Sequence, residues 1–191
     1  LRLNQQAGIS AADRLREMTQ AELVGMMQEN ADEPYAEAIA KQIVNTGRRQ
    51  RIETTSQLHE VVTKALQRVK LPPEIEAQAG YSTKKQAAAR EELIKKSSAR
   101  VFQALRIDVN HEYEVLYEFM EKLPGALAPG GRAAILTFHS GEDRIVKKAF
   151  KAFHQLGEYR DIAVDVIRPG REECYQNSRA HSTKLRWAVR A

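Results

Sequence analysis

Cysteine is almost absent: Cys174 is the single one in 191 residues. That excludes an intramolecular disulfide framework and fits a reducing compartment. Long apolar runs are missing too. No stretch approaches the roughly 18 apolar residues of a membrane span, and no signal-peptide pattern opens the chain. A cytoplasmic protein with no membrane partner is therefore expected. The five histidines and the one cysteine show no ligand spacing, so no metal site is expected. No glycine-rich turn follows a strand, as a nucleotide fingerprint requires, because Gly130-Gly131 precedes its strand. A Ser-His-Asp hydrolase is a poor reading, since Ser140 directly follows His139 and lacks the G-x-S-x-G elbow. Tryptophan occurs once, as Trp187. Its alternation with Leu185 and Val189 favours a core position over base stacking.

What is present is a charged, helix-forming chain. Hydrophobic residues make up 42% and charged residues 29%, the balance of a globular protein. The net charge of +5 is a mild bias toward polyanions, and its placement says more. Lys84 to Arg106 holds seven Lys/Arg against Glu91 and Glu92, and Arg168 to Arg190 holds six against Glu172 and Glu173. Two basic segments make RNA contact plausible. Ser10-x-x-Asp13 and Thr19-x-x-Glu22 read as capping boxes, and Thr54 or Thr55 opens a later helix. Pro34 reads as a helix start and Gly47 as a stop. Residues 84–98 favour helix but carry almost no apolar stripe. Phe102, Leu105, Val109, Tyr113, Leu116, Met120 and Leu123 predict one long helix, ended by Pro124-Gly125.

The stretch from Gly130 to Arg144 organises the rest. Pro129-Gly130-Gly131 is a turn. The apolar run Ala133 to Phe138 predicts an inner strand. Ser140-x-x-Asp143 then has capping-box spacing, and Ile145, Val146, Ala149, Phe150, Phe153 and Leu156 follow at helical period. Ligands of α/β sheets gather beyond the carboxyl ends of strands, which is where His139, Ser140, Asp143 and Arg144 would lie. His139 has three readings: a base, an RNA contact, or a structural hydrogen-bonding residue. Ser140 and Asp143 either position a polar group or simply cap the helix. Residues 162–167 predict a second strand, and 184–190 a half-exposed third with Leu185, Trp187 and Val189 inward. Three strands are few for an independent doubly wound sheet.

These residues also carry a resemblance. Phe138-His139-Ser140-Gly141-Glu142-Asp143-Arg144-Ile145-Val146-Lys147 resembles the F-H-S-L-E-D-R-I-V-K signature of the small-subunit rRNA methyltransferase H family, also called MraW, with Gly141 in place of Leu. Phe102-Gln103-Ala104-Leu105-Arg106-Ile107 with Asn110 matches F-Q-A-L-R-I-x-V-N, and Ser182-Thr183-Lys184-Leu185-Arg186 resembles the terminal S-A-K-L-R. Leu1-Arg2-Leu3-Asn4 is similar to the family's D-M-R-M-D.

The resemblance implies an α/β fold: a partial Rossmann-like methyltransferase sheet, its third strand antiparallel between or beside the other two, with an inserted all-α subdomain. The chain would be the C-terminal two-thirds of such a protein. Residues 1–9 would link it to a missing N-terminal segment, 10–98 would be the helical insertion, and 99–191 the rest of the methyltransferase domain. The implied activity is S-adenosylmethionine-dependent methylation of N4 of a cytidine in small-subunit rRNA. The cofactor pocket would lie in the missing segment, so no cofactor-binding residue is assigned. His139, Ser140 and Asp143 would give polar positioning. Arg106, Arg144, Lys147, Lys184 and Arg186 would contact RNA. The partner would be small-subunit rRNA or the ribosomal subunit, and a second copy or the N-terminal segment would cover the open sheet edge. The alternative is a non-catalytic RNA- or ribosome-binding module.

Overall fold

The computed structural model describes residues 1–4, 6–80 and 82–191. They form a mostly helical α/β chain with a three-stranded antiparallel sheet, divided into two compact units, Leu1–His111 and Glu112–Ala191.

The first unit is helical. Its elements are α1 (Ala11–Glu17), α2 (Gln20–Ala31), α3 (Ala36–Gly47), α4 (Thr55–Leu66), α5 (Pro73–Ala79) and α6 (Thr83–Asn110). The starts are set by side-chain caps. Ser10 accepts from the Asp13 amide, and Thr19 with Glu22 and Thr54 with Gln57 form reciprocal capping boxes. Each such cap contributes about 1 kcal/mol. Leu23, Met27, Ile39, Ile43, Val62, Leu66 and Leu105 are fully or almost fully buried in one cluster. Each contributes roughly 1.5–3 kcal/mol by leaving water. Packing, more than propensity, therefore holds α2, α3, α4 and α6 together.

The stripe-poor segment 84–98 is the first half of α6, and it buries Leu93, Ser97 and Ser98. Ser97 Oγ donates to Glu33 Oε1 at 3.0 Å, so a polar pair stands where an apolar stripe was missing. The single long helix expected after Phe102 is corrected. His111 adopts a left-handed conformation (φ 52°), which ends α6 at Asn110, and α7 starts afresh at Glu112 and runs through Pro124 to Ala126.

The second unit comprises α7 (Glu112–Ala126), β1 (Arg132–Thr137), α8 (Ser140–Gln155), β2 (Tyr159–Ile162), α9 (Arg171–Gln176) and β3 (Lys184–Arg190). The order is β1-β3-β2, with β3 antiparallel to both neighbours. β1 and β2 thus run the same way, and α8 is the crossover between them. The turn at Gly130 (φ 76°) starts β1, and the Gly131 carbonyl accepts from the Arg190 amide at 2.8 Å. Val146, Phe150, Tyr159 and Ala188 are 0–1% exposed and centre the core between α8, α7 and the sheet.

Three strand expectations are corrected. β2 lies at 159–162 and not at 162–167; of the expected strand only Ile162 belongs to it, while Ile167 makes an isolated bridge to Leu185. The register shift between Tyr159 and Asp161 breaks the period that sequence reading relies on. β1 is an edge strand among the described residues and not an inner one, and Leu136 and the following Phe138 are 52% and 53% exposed. An unbroken apolar run cannot say which side is covered. In β3 the residues facing α8 include Arg186 and Ala188, whereas Leu185 and Trp187 pair with Leu136 and Ala134 on the opposite face and are only half-buried. Leu156, expected inward, is 74% exposed.

Candidate active site

The site is built where β1 stops and α8 begins. His139 is extended (φ −138°, ψ 168°) and is the N-cap of α8, which places Ser140 at the first helical position. The expected Ser140/Asp143 capping box is therefore one residue out of frame: the box is His139 with Glu142.

Glu142 Oε2 accepts from the Phe138 amide at 2.9 Å and from the His139 amide at 3.4 Å. The Glu142 amide donates to His139 Nδ1 at 3.4 Å. A ring nitrogen facing an N–H must present its lone pair, so the neutral ring carries its proton on Nε2. Nε2 is buried, 3.3 Å from Glu142 Oε1, but lies outside hydrogen-bond geometry. Burial alone would raise the Glu142 carboxyl. The contacts from His139 and from the Phe138 amide outweigh it and bring the group down to about 2.

Asp143, released from capping, faces β3. Its Oδ1 accepts from Arg186 Nε at 2.7 Å and its Oδ2 from the Arg186 terminal nitrogen at 3.3 Å. Lys184 Nζ stands 3.7 Å from Oδ2. Arg186 is 6% exposed, so this is a buried, two-pronged pair. Burial works against the Asp143 charge; Arg186, Lys184 and Lys147 reverse the effect and hold the carboxyl below its ordinary range.

The second unit thus brings His139, Ser140, Asp143, Lys184 and Arg186 to one end of the sheet. Ser140, Arg144 and Lys147 are exposed on the first turns of α8. Arg106 belongs to the first unit, half-buried on α6. Three residues of structural weight had no role assigned from sequence. Glu142 was legible as the second half of an H-x-x-E frame. Asn110 accepts from the Leu3 amide at 2.8 Å and donates to the Leu1 carbonyl at 3.0 Å, tying the chain start to the end of α6. Tyr113 of α7 stacks obliquely on His139, with ring centres 6.1 Å apart. No local sequence signal announces that contact.

The strand-to-helix edge thus gathers one histidine, two carboxylates committed to protein partners, and flanking cations on an α/β scaffold. The chain belongs to the MraW methylase family, whose sequence profile matches residues 1–191. It is 56% identical over 192 residues to "Ribosomal RNA small subunit methyltransferase H 1" of Agathobacter rectalis, covering 100% of this chain and 50% of that protein. It is 54% identical to the protein of the same name from Lachnoclostridium phytofermentans, covering 48% of it. It is 52% identical to "Ribosomal RNA small subunit methyltransferase H 2" of Alkaliphilus metalliredigens, covering 50% of it. The chain therefore spans about half the length of the curated relatives it matches. No helix among the described residues is long and apolar enough to cross a membrane.

Proposed function

We propose that this chain is the nucleotide-positioning part of an S-adenosylmethionine-dependent methyltransferase acting on N4 of a cytidine in small-subunit rRNA. One observation carries the reading: across its whole length the chain matches relatives named small-subunit rRNA methyltransferases, at up to 56% identity. On this reading the sheet is part of a Rossmann-like methyltransferase sheet. Residues 10–98 are its helical insertion, residues 99–191 belong to the methyltransferase domain, and residues 1–9 lead from a cofactor-binding segment outside these 191 residues. The half-exposed edge of β1, with Leu136 and Phe138, is the place for further strands from that segment or for a second copy of the chain.

The residues in hand do not fit S-adenosylmethionine. Both oxygens of Asp143 face Arg186 and Lys184, and both oxygens of Glu142 face His139 and the amides before it. Gly130 and Gly131 close a turn onto Arg190. The two carboxylates of the first turn of α8 are thus committed to protein partners, and the Gly130-Gly131 turn precedes β1 rather than following it. This chain would contribute alignment, which supplies much of the rate in a reaction between two bound groups. Ser140, exposed at the first turn of α8, and the His139 and Asp143 side chains would orient the base. Arg144 and Lys147, on the same turns, would meet phosphates; Arg106, in the first unit, would be a separate RNA contact. Lys184 and Arg186 would hold Asp143 in place and add positive potential. The partner is then small-subunit rRNA or its ribosomal subunit, and the location cytoplasmic.

Calorimetric titration tests the division of labour. The 191-residue chain should not bind S-adenosylmethionine, whereas the complete polypeptide that carries it should. Micromolar binding to the chain alone would overturn the assignment of the cofactor pocket to another segment.

A further inference from the structure

Gly141 sits in the middle of the signature stretch, where the family resemblance calls for Leu. Its surroundings explain the difference. A β-carbon at 141 would overlap the Tyr113 hydroxyl, lie 2.8 Å from Tyr113 Cζ and 3.3 Å from His139 Nδ1. Gly141 is buried, and its backbone needs no left-handed conformation, so the requirement for glycine is one of volume. The phenol of Tyr113 fills the space a side chain at 141 would take. The same ring lies against the imidazole of His139, with centres 6.1 Å apart and planes at 41°. The His139 side chain is only 15% exposed, and Glu142 faces both its nitrogens. Tyr113 closes another side.

We propose that Tyr113 is a positioning residue of this site: paired in volume with Gly141, it locks the His139 ring in the orientation that keeps Nδ1 on the Glu142 amide. The inference rests on the reading that the β1–α8 edge orients the methylated base. It assigns Tyr113 no contact with substrate. Tyrosine on α7 and glycine on α8 then form a unit that must change together. A larger residue at 141 needs a smaller one at 113, and a bare Gly141 without the phenol leaves the imidazole free to turn.

The test has a readout that needs no substrate. Nitrogen-15 spectra of the histidine rings in the 191-residue chain should show His139 as a single Nε2–H tautomer. Tyr113→Ala should average the two ring nitrogens while circular dichroism keeps its helical signal. Gly141→Ala should do the same by displacing the phenol. Stability should show the coupling: Gly141→Ala should be costly with Tyr113 in place and much less so in the Tyr113→Leu background, whose shorter side chain lacks the ring atoms that a β-carbon at 141 would meet. In the complete polypeptide, Tyr113→Ala should lower kcat for rRNA methylation by ~10–100-fold and leave KM nearly unchanged, the pattern of misplacement. If Tyr113→Ala lowers stability but leaves the His139 tautomer as in the wild type, Tyr113 is packing only and the proposal is wrong. If Gly141→Ala is as damaging in the Tyr113→Leu background as with Tyr113 in place, the pairing is wrong. An unchanged tautomer with intact methylation would refute the inference and leave the functional reading standing. A lost tautomer in a protein that methylates no RNA would do the reverse.

Discussion

Replacing Arg186 with Met would remove a cation that is 6% exposed and makes two hydrogen bonds, of 2.7 and 3.3 Å, to Asp143. Met keeps much of the aliphatic length, so the change isolates the charge. Removing one partner of a buried ion pair costs about 3–5 kcal/mol, because the other charge stays desolvated. Two features of this site reduce that figure. Lys184 remains at 3.7 Å, and the Asp143 side chain keeps 13% of its exposure. The expected loss is therefore about 2–3 kcal/mol, or a fall of about 1–2 M in the urea midpoint for an ordinary slope. Trp187, the next residue on β3 and the protein's single tryptophan, reports the unfolding of this unit by fluorescence. Asp143→Asn should cost a similar amount. The double variant should cost far less than the sum of the two, with a coupling of about 1–3 kcal/mol. A loss below about 0.5 kcal/mol for Arg186→Met, or strictly additive losses in the double variant, would refute the claim that this pair holds the sheet end to α8.

Glu142, with its carboxyl at about 2 against an ordinary 4.5, should make the second unit acid-sensitive. A depressed folded value means that the stabilisation is present above the unfolded value and is lost as pH falls from about 5 toward 2. Glu142→Gln should flatten that part of a stability-against-pH curve, and an unchanged curve would contradict the site geometry. Lys147→Glu and Arg144→Glu should each reduce the salt dependence of RNA binding by roughly one unit of slope, measured by anisotropy across a potassium chloride series. Unchanged slopes would mean that these side chains meet no phosphate. Gly130→Ala, at φ 76°, should cost about 1–2 kcal/mol on thermal unfolding, since an alanine there is forced left-handed.

The helical caps at Ser10, Thr19 and Thr54 were legible because each is a local pattern with a local physical cause. So was the start of β1 after Gly130-Gly131. The antiparallel run of β3 was implied by the family resemblance, which left open whether it lies between or beside the other two strands; it lies between them. The fine structure of the site was less so. Two overlapping frames, S-x-x-D and H-x-x-E, compete at the start of α8, and preference tables favour serine. The structure uses histidine because Glu142 can reach back to the amides of Phe138 and His139 while Asp143 turns to Arg186, 43 residues later. That contact is non-local, and so is Tyr113 against Gly141. The same limit hid the edge position of β1, since an apolar run reads alike whether one face or two are covered. The break at His111 was lost because the apolar period continues across a single left-handed residue.

The most direct test of the central claim is the modified nucleoside itself. Small ribosomal subunits lacking the modification would be incubated with the complete polypeptide and S-adenosylmethionine, and their RNA digested and analysed by mass spectrometry. The account predicts N4-methylcytidine with the wild type and at least a ~100-fold lower rate with Asp143→Asn, whose loss displaces the end of β3 and the α8 edge together. Absence of N4-methylcytidine with the wild-type protein, or full activity in the Asp143 variant, would contradict it.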